Sequence, residues 1–212
     1  EEILSYNDDR FKVMVAPHAP YSCSKDLLKG SLELARELQL KLHIHVAETQ
    51  AENGMILERY GKRPLAFLKE LGYLEHEGIF AHGVELNERE IAELTASKIH
   101  IAHNPISNLK LASGIAPVTD LIQAGVTVGL ATDSVASNNN LDMFEESRTA
   151  ALLQKIRTGD ATQFTIEQAL KTMTIEGAKA LGMDDQIGSL EVGKQADFLI
   201  IQPKGKVHLY PE

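Results

Sequence analysis

Five short apolar runs, each followed by a helical pattern, constrain this chain more than any other feature. They cover residues 12–18, 41–47, 78–82, 99–104 and 126–132. The runs are too continuous for strands with one wet face, so they read as parallel strands covered on both sides. The intervening segments carry helix signals. Ser24 is placed to cap a helix whose apolar stripe is Leu28, Leu32 and Ala35. A helix over 52–60 breaks at Gly61, and Pro64 restarts one at a first-turn position. Asn87 with Glu90 and Thr165 with Gln168 have capping-box spacing, the second opening a last long helix that ends near Gly182. A stripe of Ile115, Val118, Leu121 and Ile122 and a helix over 141–156 complete the pattern.

Strand then helix, repeated, implies a parallel sheet with right-handed crossovers. On pattern alone, an open doubly wound sheet and a piece of a (β/α)8 barrel both fit. The polar residues separate them. Single chemical groups at the ends of successive strands suit a barrel mouth, where all loops converge. An open sheet would gather its ligand at one switch point, usually with a glycine-rich phosphate loop, and no G-x-G-x-x-G or P-loop is present. The fold expected is therefore α/β, about five βα units forming the C-terminal portion of a (β/α)8 TIM barrel. Five strands do not close an eight-stranded barrel, so three further units are expected before Glu1. The division expected is a partial barrel over 1–186 and strands of a small β domain over 187–212, where Gly188, Gly193 and Gly205 punctuate short β-like runs.

The chain has 212 residues and a net charge of −9, with its Lys and Arg scattered. A polyphosphate backbone would be repelled, which argues against nucleic acid as a partner but not against a nucleoside-sized molecule. One cysteine, Cys23, allows no intrachain disulfide and favours a reducing cytosol. No membrane-length apolar run occurs, so a cytoplasmic protein without a membrane partner is expected.

The chemistry-bearing residues are His18, His45, His82 and Asp133, each at or just past a strand end, with Glu48 three residues after His45. A histidine ligand beside a carboxylic acid is what metal-assisted hydrolysis needs: one holds the metal, the other moves a proton. Each has a plainer reading. His45 alone equally suits a core histidine, and an aspartate after a strand is more often a helix cap. Here Ser137 or the run 138–140 is available to cap the next helix, which frees Asp133. His43 shares the face of His45 one layer deeper and reads as interior filling. His103 reads as a packing and hydrogen-bonding residue. The set of strand-end residues is more specific than any member.

These residues sit in stretches that resemble the amidohydrolase superfamily, and within it the 5′-methylthioadenosine/S-adenosylhomocysteine deaminases and chlorohydrolase-like proteins. The stretches are APHAPYSCS, HIHVAET, FAHGVEL, HNPISNLKLASGIAPV, ATDSVASNNNLDMF and IGSLEVGKQADFLII, spanning about 12–201. The resemblance implies roles. His45 is the metal ligand of the fifth barrel strand, Glu48 the proton shuttle, and His82 the histidine that orients the metal's water. Asp133 ligates the metal and accepts the water's proton, and His18 contacts substrate. Lys12 stands at the wrong end of its strand to bridge two metals, so one divalent ion, Zn or Fe, is implied.

The same resemblance implies hydrolytic deamination of an adenosine-type nucleoside, with homo-oligomerisation as a family trait. Its rivals are a chlorohydrolase or a deaminase of another N-heterocycle (triazine, guanine or cytosine) and an inactive scaffold. The superfamily's His-X-His pair ahead of these strands has no counterpart upstream of His45. With His45 and Asp133 as its only ligands the chain lacks a four-coordinate shell, so by itself it is expected to be weak or empty in metal and inactive.

Overall fold

A computed structural model describes residues 12–201. Five strands form one parallel sheet in chain order: β1 (Met14–Val15), β2 (Lys41–Val46), β3 (Gly78–His82), β4 (Ile99–His103) and β5 (Val128–Leu130). Between them run α1 (Lys25–Glu37), α2 (Gln50–Tyr60), α3 (Pro64–Leu71), α4 (Glu88–Thr95), α5 (Pro105–Lys110) and α6 (Val118–Gln123). After β5 come α7 (Val135–Asn138), α8 (Met143–Thr158), α9 (Ile166–Thr172) and α10 (Ile175–Leu181). Sequential parallel strands joined by helices are the arrangement expected of consecutive βα units of a barrel.

The local signals act as anticipated. Ser24 Oγ accepts from Leu27 N, and both capping boxes form. Gly61 ends α2 in the left-handed conformation, and Pro64 opens α3. The edge strands are shorter than the apolar runs that contain them. Among the described residues, β1 and β5 each pair with one neighbour, so fewer of their residues gain ladder bonds. The long helix expected over 165–182 is two helices, broken at Thr174 where the backbone turns to φ −130°, ψ −97°. The break lets α10 lie on β5. Gly177 approaches Gly129 so closely that a Cβ on Gly129 would stand 3.1 Å from the Gly177 Cα.

The core lies between sheet and helices and is built on Leu42, Ile44, Phe80, Ile101 and Val128, with Leu28, Leu32, Leu65, Leu68 and Leu121 from the helices. The opposite face is not uniformly covered. β2 alternates half-buried and buried residues, with His43 and His45 on the open side, where uniform burial was expected. That face lines a cleft of about 310 Å³, bounded by Met14, Ile79, Ala81, Gly129 and α10 residues. Residues 187–201 form turns and extended chain without paired strand, and the remainder of the small β domain expected over 187–212 lies outside the described residues. Among the described residues, no helix is long and apolar enough to cross a membrane.

Candidate metal and proton-transfer site

Strand parity places most of the predicted residues on the cleft face. Met14 lines the cleft, and His18 follows it at even spacing; His43 and His45 line it from β2; Ala131 and Asp133 line it beyond β5. His82 breaks the rule. Ile79 and Ala81 line the cleft, so His82 should share the core face of Phe80. Its backbone instead turns left-handed, at φ +74°, and its ring stacks on His45 at 5.3 Å between centroids. Ala47 (φ +52°) and Asp133 (φ +61°) turn the same way. Non-glycine residues in this region cost on the order of 1–3 kcal/mol each and persist where surrounding bonds over-determine them. Three such turns fall around this one cluster.

The carbonyl of His18 accepts twice from His45, from the backbone N–H at 3.0 Å and from Nδ1 at 2.6 Å. A carbonyl only accepts, so His45 is protonated at Nδ1, and in the neutral ring Nε2 carries the free lone pair. This is the orientation that metal-binding histidines take from their outer hydrogen bonds. His18 itself is exposed, with Nδ1 2.6 Å from Ser22 Oγ and its ring 5.0 Å from that of His45.

Asp133 accepts from Ser107 Oγ at 2.6 Å and from Ser134 N at 2.7 Å. Burial pushes its carboxyl upward, but these bonds and the Ser137 hydroxyl outweigh burial and hold it below the usual aspartate value. The helix that follows is capped by Ser134, whose Oγ accepts from Ala136 N, and α8 is capped by Asp142. The caps expected from Ser137 or 138–140 are therefore supplied by other residues, and Asp133 is free of capping duty either way.

His82 is buried; its Nδ1 lies 2.8 Å from Asn108 Oδ1 and its Nε2 lies 3.8 Å from Glu48 Oε2. Glu48 Oε1 accepts from Ser113 Oγ at 3.3 Å. His45 and Asp133 thus line the cleft, while His82 and His18 join the cluster through His45, and Glu48 joins it through His82. His103 does not. It points with Ile99 and Ile101 to the core face, fully buried with neither ring nitrogen hydrogen-bonded, so it packs but does not hydrogen-bond as expected. Burial, then the neighbouring His82, lowers its pKa to about 3, which keeps it neutral. His43, half-buried below His45, is also pushed down, first by burial and then by His45 and His82.

Glu52 is the residue that sequence reasoning missed here. It is 1% exposed, and its two carboxylate oxygens accept from Ala47 N (3.1 Å) and Glu48 N (2.8 Å), fixing the turn that carries Glu48. Its only sequence signal was an acid in the first turn of α2, a common place for a solvated charge. Burial, partly offset by those backbone bonds, raises its pKa from 4.5 to about 7. A carboxyl that binds its proton more tightly when folded adds stability at low pH. That contribution is complete below the unfolded value near 4.5 and is lost as pH rises through about 7. The denaturation free energy of the wild type minus that of Glu52→Gln should therefore fall across this window and flatten above it. A difference independent of pH from 4 to 8 would refute the assignment.

The donor set fits a divalent metal in part. A free imidazole Nε2 and an ionised carboxylate are zinc-type ligands. Among the described residues no three His, Cys, Asp or Glu side chains stand together as a metal-holding group.

The amidohydrolase family model matches residues 1–210. The chain is 51% identical over 207 residues to a 5-methylthioadenosine/S-adenosylhomocysteine deaminase of Bacillus thuringiensis (strain Al Hakam), covering 97% of this chain and 47% of that protein. The chain thus spans about half the length of the curated relatives it matches. Its fold superimposes on a zinc-bound adenosine deaminase of Xanthomonas campestris with a TM-score of 0.89 at 42% identity, covering 92% of this chain and 44% of that one. An atrazine chlorohydrolase of Arthrobacter aurescens TC1 complexed with zinc gives 0.85 at 26% identity, with 92% and 44% covered. With five sequential βα units matching these structures and the family model spanning nearly its whole length, the chain belongs to the amidohydrolase family.

Proposed function

We propose that this chain supplies the proton-transfer groups and part of the metal shell of a hydrolase that deaminates an adenosine-type nucleoside, 5′-methylthioadenosine or S-adenosylhomocysteine. The observation that carries the reading is the cluster of His45, His82, Glu48 and Asp133, held by hydrogen bonds that define which atoms are free. His45 through Nε2 and Asp133 through its carboxylate would hold one divalent ion, zinc or iron. Such an ion would polarise the attacking water and lower its pKa to about 7.

The remaining steps belong to the side chains. Asp133, kept ionised by Ser107 and Ser134, takes a proton from the attacking water. Glu48 delivers a proton to ring nitrogen N1, making C6 electrophilic. His82, stacked on His45 and facing Glu48, steadies the oxygen that adds to C6. Asp133 then passes that proton to the amine, and ammonia leaves as the C6 hydroxyl becomes a carbonyl and returns its proton to Glu48. His18, exposed three residues beyond β1, would contact the substrate.

Dechlorination of a triazine would use the same groups, and the likeness to the atrazine chlorohydrolase is the observation in its favour. The higher identity to proteins named as deaminases of methylthioadenosine and S-adenosylhomocysteine favours the nucleoside. The full-length protein, loaded with zinc or iron, should release ammonia faster from methylthioadenosine or S-adenosylhomocysteine than from guanine or cytosine. It should release no chloride from atrazine. Turnover confined to guanine, cytosine or the triazine would overturn the substrate assignment, and absence of turnover with every substrate would favour a non-catalytic role.

A further inference from the structure

One short segment touches three of the groups assigned to the chemistry, although none of its residues was assigned a role. Ser107 donates to Asp133 Oδ2 at 2.6 Å, Asn108 faces His82 Nδ1 at 2.8 Å, and Ser113 donates to Glu48 Oε1 at 3.3 Å. All three side chains are buried. The segment is itself fixed. Asn108 N donates to Asn104 O, and Ser113 N donates to Asn108 O at 2.8 Å. Ile106 N donates to Glu146, a fully buried carboxylate that also receives Asn138 Nδ2.

We propose that Asn108 is a positioning residue that sets the tautomer of His82, with Ser107 and Ser113 holding Asp133 and Glu48 from the same segment. The inference rests on the proposed roles of His82, Glu48 and Asp133. Two neighbours compete for His82 Nδ1. Asn108 Oδ1 at 2.8 Å only accepts, which requires a proton on Nδ1. Asn104 Nδ2 at 3.4 Å only donates, which requires a bare Nδ1. The shorter contact is the stronger, and the longer one is at the limit of a hydrogen bond. In its neutral form His82 is therefore the Nδ1–H tautomer, with its Nε2 lone pair facing Glu48 across 3.8 Å. An acceptor there suits a carboxylic acid that must carry a proton to substrate. The other tautomer would put an N–H against Glu48 in its place.

The test is a long-range ¹H–¹⁵N correlation spectrum of histidine-labelled protein, which reports which ring nitrogen of His82 carries the proton without reference to activity. The wild type should show Nδ1–H. Asn108→Leu removes the acceptor and should shift His82 toward Nε2–H, with Asn104 as its remaining partner. Asn108→Asp keeps an acceptor and should retain Nδ1–H. An Nε2–H wild type, a measurement that needs no variant, overturns the proposal, as does an unchanged tautomer in a folded Asn108→Leu.

In the full-length enzyme, Asn108→Leu should lower kcat by about 10- to 100-fold, the usual cost of losing such an outer partner. In a His82→Gln background it should cost almost nothing more, and full additivity of the two losses would count against action through His82. The expected tautomer in a protein that turns over no substrate would leave the placement of His82 standing and remove the functional reading instead.

Discussion

Glu48→Gln in the full-length protein is expected to lower kcat by about 10²- to 10⁴-fold while leaving bound metal and KM close to wild type. The substitution is nearly isosteric. Its side-chain oxygen still accepts from Ser113, and its backbone N–H still donates to Glu52. What is lost is the ability to carry a proton. Each tenfold in rate is 1.36 kcal/mol of barrier, so a hundredfold loss is about 2.7 kcal/mol. That is a reasonable share for one positioned acid and too large for a surface hydrogen bond. Glu48 is not placed among the metal donors, which is why metal content, measured by elemental mass spectrometry, should not change. An unchanged kcat would remove Glu48 from the mechanism. A parallel loss of metal would move it into the ligand shell.

Asp133→Asn should abolish turnover more completely, by at least about 10³-fold, and should deplete the metal as well, because one carboxylate is asked both to bind the ion and to accept a proton. Asparagine is the informative replacement. Residue 133 sits at φ +61°, a region that asparagine adopts at lower cost than alanine, so the fold should survive. The amide oxygen of the replacement would still accept from the Ser107 hydroxyl. The melting temperature should stay within a few degrees of wild type while metal and activity fall together. A variant that keeps stoichiometric metal and full activity would sink both roles. A variant that unfolds would show that Asp133 is needed chiefly to hold the turn after β5.

Local and periodic features of the fold were legible in the sequence because they depend on neighbours in the chain. The apolar runs located all five strands, and Ser24, the Asn87–Glu90 and Thr165–Gln168 boxes, Gly61 and Pro64 each acted within a turn of their own position. Strand parity likewise placed His43 and His45 on one face. The break at Thr174 was not legible, since it answers to the packing of α10 on β5 rather than to a proline or glycine at that point.

The histidines show where sequence alone stops. His82 and His103 both end buried strands and carry the same side chain, yet one stacks in the site and the other is shut into the core. Parity would have put His82 on the core face; a left-handed turn at φ +74° redirects it, and Asn108, from the next βα unit, holds it there. Ser107 and Ser113 were equally hidden, because a hydrogen bond between residues tens of positions apart leaves no periodic trace in the chain, and Glu52, which bonds only four and five residues back, looked like an ordinary first-turn acid. The sequence by itself determined the strands, the helix ends and the chemical types gathered at the strand ends, because these follow from side-chain periodicity and local capping. Only the tertiary structure decided which of those groups face one another and which nitrogen or oxygen of each is left free, because that depends on long-range hydrogen bonds and on backbone strain that a packed fold alone can hold.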